Sequence, residues 1–284
     1  MERWQGPFAE DEKNQALARL ERGQVLHFPG LAFSPEGDPD LLFSSVLADN
    51  RNKNISYEPA SGSLKGTAAA GSERQALLAM MAGFSAAATG FIGELLPRYI
   101  SGLAPGRASY RPVEIVGRDY SPLKDDKRLH IDAFPSTPTR GRRILRLFCN
   151  INPFGKPRLW HIGEAFEQHA ARFSPARRRP RTAKAWLLAA LGATRGRRSA
   201  YDQLMLGLHD SAKRDAAYQA GAPYREALFA AGSSWLCFTD QVVHAALSGQ
   251  YALEHTFYVA VEAMADPDRS PLRTLERMTG RKLV

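Results

Sequence analysis

The residues best suited to chemistry are the triplet His130-Ile131-Asp132 and, far downstream, His244 in the run Phe238-Thr239-Asp240-Gln241-Val242-Val243-His244. In an extended strand alternate side chains share a face, so His130 and Asp132 can aim at one point. A histidine from a distant strand would complete two imidazoles and one carboxylate on a single face of a metal. That set suits non-haem Fe(II) and leaves positions open for a cosubstrate and O2. A lone His-x-Asp arises by chance in many chains, so the elements that carry it must decide.

After the triplet comes a loop, 133–142, containing Pro135, Pro138 and Gly141. Residues 143–152 then read as a strand from their β-branched and aromatic content. Leu145, Leu147, Cys149 and Ile151 form one apolar face, expected to pack against helices. Ile144, Arg146, Phe148, Asn150 and Asn152 form the other, with the cation and amides that the inside of a barrel holding a small dianion requires. A turn at 153–157 precedes a short strand at 158–162. Further strands are expected at 232–239, around His244 and at 255–261, with a turn at Ser248-Gly249. Short strands between turns predict an antiparallel sandwich or barrel. The fold class expected is mixed α and β, with a double-stranded β-helix (jelly-roll or cupin-like) core, N-terminal helices and a helical insert. The insert is 164–229, where Tyr201, Leu204, Met205, Leu208 and Ala212 recur at helical spacing. The expected layout is one domain over 1–284: an N-terminal substrate-loop and helical part at 1–110, barrel core at 111–163 and 230–262, and the insert between.

Composition narrows the class. Only Cys149 and Cys237 are present, both in apolar strand contexts, so a disulfide scaffold is excluded and a reducing compartment expected. The start Met-Glu-Arg-Trp lacks signal-peptide character, which predicts a cytoplasmic location. Residues 75–93 carry no charge and approach the length of a membrane span. Gln75, Ser85, Thr89 and several Gly and Ala make them only mildly hydrophobic; Leu77, Leu78, Met81, Phe84, Phe91, Ile92 and Leu95 predict instead a long helix buried against a sheet. The net charge of +9 gathers in Arg clusters at 177–181 and 195–198, which implies a polyanionic partner. No zinc-finger, helix-turn-helix or aromatic RNA-binding pattern accompanies it, so no nucleic-acid partner is expected.

Five strings carry a family likeness: Asn52-Lys53-Asn54-Ile55-Ser56-Tyr57-Glu58-Pro59 with Leu64-Lys65-Gly66; 130–136; 147–153; 155–160 with Gly163-Glu164; and 244–259. Together they resemble the Kdo hydroxylases, Fe(II)/2-oxoglutarate-dependent enzymes of lipopolysaccharide biosynthesis in Gram-negative bacteria. The resemblance spans most of the chain. It implies hydroxylation at C3 of a Kdo sugar (3-deoxy-octulosonic acid) on a lipid A precursor to give Ko, while 2-oxoglutarate and O2 yield succinate and CO2. It implies Fe(II) held by His130, Asp132 and His244, and a Kdo-containing lipid A precursor as partner. The run Arg177, Arg178, Arg179 and Arg181, beside the apolar 185–191, then reads either as a solvated loop or as a contact with anionic headgroups on the cytoplasmic face of the inner membrane.

Many members of the wider superfamily meet the far carboxylate of 2-oxoglutarate with an Arg about ten residues after the second His. Here that position is Glu254, followed by His255 and Thr256. Arg146, inward-facing by alternation, is the expected cation, with Arg143 and Arg158 in reserve, because a guanidinium binds carboxylates bidentately. The plain alternative is an Arg146 in an exposed salt bridge. Asn150 and Thr256 are expected to complete the 2-oxoglutarate pocket. Arg158 and Trp160 are expected at the pocket mouth, against a buried strand Trp as the alternative. Asn54, Tyr57 and Lys65, in a Gly/Ser-rich stretch, are expected substrate contacts on a loop. His161, His169, His209 and His255 receive no metal role; His209 is expected on the exposed or half-buried side of a helix, as an ordinary solvated histidine, and His255 to influence the centre indirectly. Other readings are the same chemistry on another anionic sugar or lipid, and a non-catalytic jelly-roll module binding a polyanion.

Overall fold

Alternation along the strands produces two antiparallel sheets that face one another. In the computed structural model the strands are β1 (Leu26–Phe28), β2 (Ile55–Glu58), β3 (Ser63–Lys65), β4 (Leu103–Arg111), β5 (Arg143–Asn150), β6 (Arg158–Ile162), β7 (Arg225–Phe229), β8 (Ser234–Phe238), β9 (His244–Ser248) and β10 (Ala252–Val259). The larger sheet has the order β1-β8-β5-β10-β4-β2-β3 and the smaller β7-β6-β9. The structure describes residues 2–36, 38–49, 54–117, 120–174 and 198–284; the basic run 177–181 and the apolar 185–191 lie outside them.

The outer face of the larger sheet is apolar and is covered by helices. These begin with α1 (Glu10–Glu21), α2 (Pro39–Leu42) and α3 (Gly71–Leu95). Leu145 and Leu147 join Phe91, Ile92 and Leu95 in one core cluster, and Cys149 and Ile151 join Leu77, Met81 and Phe84 in another. By length and composition α3 is the one helix among the described residues that could cross a membrane. Its buried positions, Leu77, Met80, Met81, Phe84, Ala88, Phe91, Ile92 and Leu95, fall three to four apart and form a stripe on the sheet. Each large apolar side chain so buried contributes roughly 1.5–3 kcal/mol. Leu78, expected in that stripe, is instead 38% exposed.

Two boundaries differ from the expected layout. The segment 1–110 carries α1–α3 and, beyond what was expected of it, β1–β3 and nearly all of β4 of the larger sheet. Pro105 and Gly106 interrupt β4 and hide its alternation, in which Ala108 and Tyr110 face the core while Ser109 and Arg111 face the other sheet. The insert contains α4 (Phe166–Phe173), α5 (Ala200–Arg214) and α6 (Ala216–Gly221), but 225–229 is β7, paired with β6 from Arg158↔Phe229 to Ile162↔Arg225. Pro223 ends the helical stretch. The stripe Tyr201, Met205, Leu208 and Ala212 is buried, with Leu204 partly so. The chain closes with α7 (Pro271–Thr279).

Candidate active site

The structure brings His130, Asp132 and His244 together. His130 and His244 face each other across an isolated antiparallel bridge, each amide donating to the other's carbonyl at 3.0 and 2.8 Å. His130 Nδ1 lies 2.7 Å from the Arg128 carbonyl and His244 Nδ1 lies 2.8 Å from that of Val242. A carbonyl only accepts, so each Nδ1 carries the proton and each Nε2 is a free ligand. The Asp132 amide donates to Thr239 O at 2.7 Å, and its Oδ2 accepts from Arg146 Nη1 at 2.8 Å. Its other oxygen is 3.8 Å from His130 Nε2. The ligand atoms of the three residues all lie within 4.8 Å of one another. Burial pushes both imidazoles below their ordinary value, and their mutual proximity adds to this for His130. Burial alone would raise the Asp132 carboxyl, but Arg146 and the two imidazoles outweigh it and hold it well below the usual range. Two neutral imidazoles and one carboxylate are the protonation states a divalent metal needs, so the donor set fits Fe(II).

Behind the triad, Arg143 pins the turn that carries Thr239. Its guanidinium donates to both oxygens of Asp240 at 2.8 and 3.2 Å and to Gln241 Oε1 at 2.7 Å, and lies 3.8 Å over the Phe238 ring. It belongs to the apolar face of β5, opposite Arg146, and so is no reserve cation for the cavity.

Between the sheets lies a cavity of about 330 Å³ with the triad in its wall. Arg146 does face inward, but its terminal nitrogens are already held by Asp132 and Glu254. Glu254 also accepts from Arg111 at 2.9 Å, and Arg111 reaches Asp126 at 3.4 Å. Arg158 differs. It is 3% exposed, its Nη1 donates to Gly249 O at 3.1 Å, and it has no carboxylate partner among the described residues. Burial, then the neighbouring Arg111, push this guanidinium down to about 9, so it remains charged at neutral pH. Trp160 stacks on His244 with ring centroids 5.0 Å apart and planes at 20°. Among the described residues nine buried side-chain N or O atoms lack a partner. Four of them, Arg146 Nε, Arg158 Nε, Trp160 Nε1 and Asn54 Oδ1, belong to residues lining this one cavity. Such atoms are rare in folded proteins, and here four of them gather in the wall of one cavity.

The other expected site residues divide. Asn54 and Thr256 line the cavity. Arg158 and Trp160 line it too, but as buried wall and not as the mouth. Asn150 does not reach it: its Nδ2 donates to Lys156 O and Phe229 O, both at 3.0 Å, and its Oδ1 accepts from the Asn152 amide. It sits at the strand end, where an amide side chain closes a turn. Tyr57 packs into the apolar core on the far side of β2, and Lys65 is exposed on β3. His209 is half-buried on α5: its side chain is 12% exposed, its ring meets that of His130 edge-on at 5.5 Å, and its Nδ1 is 2.8 Å from Asp210 Oδ1. His255 faces away from the cavity, its Nε2 3.3 Å from Gly106 O. Glu254 and Arg111 were missed, although the carboxylate where relatives carry an Arg was visible in the sequence.

A jelly roll with a two-histidine, one-carboxylate centre beside a cation-lined cavity defines the class, a non-haem iron oxygenase. The profile of the 3-deoxy-D-manno-oct-2-ulosonic acid (Kdo) hydroxylase family matches residues 3–282, and the chain belongs to that family. Crystal structures of the Kdo hydroxylase KdoO, a non-heme Fe(II) alphaketoglutarate dependent dioxygenase, are 43% identical to it over 100% of this chain and 95% of theirs. The TM-score is 0.95 for the complex with alphaketoglutarate and Fe(III) and 0.96 for that with cobalt(II). A search of curated proteins finds no match.

Proposed function

We propose that this protein hydroxylates C3 of a Kdo residue on a lipid A precursor, giving Ko, with Fe(II), 2-oxoglutarate and O2. The observation that supports it most is the triad His130, Asp132 and His244 in the wall of a cavity that the buried guanidinium of Arg158 also lines. A guanidinium this buried, with no carboxylate in ion-pair contact among the described residues, is costly to keep, and a dicarboxylate offsets that cost. Arg158 receives the far carboxylate of 2-oxoglutarate, Trp160 donates from the same strand face, and Thr256 lies on the opposite sheet. Arg146 acts differently from expectation: it holds Asp132 ionised and correctly turned, and Glu254 fixes it against Arg111. Fe(II) held by His130, Asp132 and His244 would supply O2 activation coupled to decarboxylation of 2-oxoglutarate, one oxygen atom going to the sugar and one to succinate, with CO2 released. Trp160 keeps the His244 ring from rotating, and burial of the triad excludes bulk water.

The test is a reaction of purified protein with Fe(II), 2-oxoglutarate, O2 and Kdo-lipid A, read by mass spectrometry. Gain of one oxygen on the sugar, matched by one succinate, is expected. His130→Ala, Asp132→Ala and His244→Ala should each abolish it while staying folded, because an open metal site collapses when any ligand is lost. Succinate without an oxygenated sugar would redirect the chemistry to another substrate. The substrate is lipid-linked, and the run Arg177, Arg178, Arg179 and Arg181 meets anionic headgroups, each cation contributing about 1 kcal/mol. Changing all four to Ser should weaken binding to anionic vesicles; equal binding would leave the run as a solvated loop.

A further inference from the structure

β4 and β10 pair in step from Ala252↔Arg111 to His255↔Ala108, and again from Phe257↔Pro105 to Val259↔Leu103. Between these stretches Gly106 and Arg107 stand opposite Thr256 alone, which is a β-bulge. Bulges re-aim side chains and gather beside active sites. Gly106 suits this close approach: a Cβ would sit 3.0 Å from both Thr256 O and the Tyr258 ring, so either would have to give way. Arg107 lines the cavity yet is exposed, so it stands at the mouth, where Tyr258 also lies with the Arg142 guanidinium 4.9 Å over its ring. Unlike Arg111 and Arg146, Arg107 pairs with no acid among the described residues. Ser109, on the same strand, stands opposite Ser56 of β2, and both line the cavity. Asn54, just before β2, lines the cavity beside them.

We propose that Arg107, Ser109, Ser56 and Asn54 form a subsite for an anionic polyol, with Arg107 meeting an anion of the substrate and the two serine hydroxyls and the Asn54 amide meeting its hydroxyls. The anion is either the sugar's carboxylate or a neighbouring phosphate, since a guanidinium pairs with both. The inference rests on the reading of the protein as a sugar-acid hydroxylase and adds the residues that choose the sugar. Bulge and subsite are one device: the extra residue gives β4 a cation at the mouth without breaking the pairing that carries Glu254.

The test is steady-state kinetics of Arg107→Gln, Arg107→Lys and Asn54→Ala with Kdo-lipid A. Loss of a charge-assisted hydrogen bond predicts a rise in KM for the sugar of roughly 10- to 150-fold in Arg107→Gln, with part recovered in Arg107→Lys. KM for 2-oxoglutarate should move far less. Substrates with the carboxylate amidated or the phosphates removed identify the anion: the one that wild type handles as poorly as Arg107→Gln handles the intact substrate lacks it. An unchanged sugar KM in Arg107→Gln while product is still made overturns the subsite alone, as does an equal rise in both KM values. No oxygenated sugar from wild type overturns the reaction and takes the subsite with it.

Discussion

Arg143 and Arg158 are both buried guanidiniums, at 0% and 3% exposure, yet they are treated in opposite ways. Arg143, on the helix-covered side of the larger sheet, has both oxygens of Asp240, the Gln241 amide oxygen and a ring face. Arg158, on the cavity side of the smaller sheet, has one carbonyl and an idle Nε. A protein that needed only stability would have paired or removed the second. The contrast separates a cation that organises the fold from one held ready for a ligand.

The comparison breaks most violently at Asp240. Asp240→Ala leaves Arg143 buried without its carboxylate, and breaking a buried pair this way costs about 3–5 kcal/mol. Urea unfolding should read that loss. A double variant, Arg143→Met with Asp240→Leu, should recover most of it, because a packed apolar pair replaces a buried ion pair at little net cost. A single variant as stable as wild type would mean that the pair is incidental.

At Arg158 the same change should act on function and spare the fold. Removing a charge partner from a desolvated site costs about 2–5 kcal/mol of binding, or roughly 30- to 4000-fold in KM for 2-oxoglutarate. Arg158→Met should show this loss with equal or higher stability of the unliganded protein, since an uncompensated buried charge has gone. If Arg158→Met destabilises like Asp240→Ala and leaves the 2-oxoglutarate dependence alone, the contrast is wrong.

Buried histidines outside the cavity give a smaller effect with a definite sign. Burial pushes His169 down to about 4, although Glu164 opposes it. Between an unfolded value near 6.5 and that folded value, the unfolded chain binds the proton and the folded one does not. Stability is therefore fully present above about pH 6.5 and is lost as pH falls towards 4, by about 3 kcal/mol at most for this group. His169→Gln should flatten the pH dependence of the unfolding free energy over that window. A slope identical to wild type would assign it to other groups.

The sequence was legible where a regular period ran through uninterrupted residues. The alternation of 143–150 put Arg146 inward and Leu145 and Leu147 against helices, as found. It failed at Asn150, because at a strand end turn hydrogen bonds override face parity. It failed again at Tyr57 and Lys65, placed on a loop although Asn54 and Ser56 alternate with Ile55 and Tyr57 in the pattern of a strand. Arg111 was hidden because β4 contains a proline and a bulge, which erase the period. Glu254 was noticed as the absence of an Arg, but only a tertiary contact shows that it is the shared counter-ion of Arg111 and Arg146.

The finest division lies within the cavity wall, between the charged donor of Arg158 and the neutral donor of Trp160. The Trp160 ring packs against Phe148, Phe229 and Trp235 and stacks on His244, so Trp160→Phe retains an aromatic buttress. What it removes is Nε1–H, which has no partner among the described residues. A neutral hydrogen bond contributes about 0.5–1.5 kcal/mol net, so KM for 2-oxoglutarate should rise by only about 2- to 12-fold. The sugar KM should stay near wild type, because Asn54 and Arg107 lie on the opposite sheet. An unchanged 2-oxoglutarate KM would reduce Trp160 to a support for His244. A loss as large as that of Arg158→Met would mean that the ring holds the metal ligand in place, which the metal dependence of turnover in the variant would then reveal.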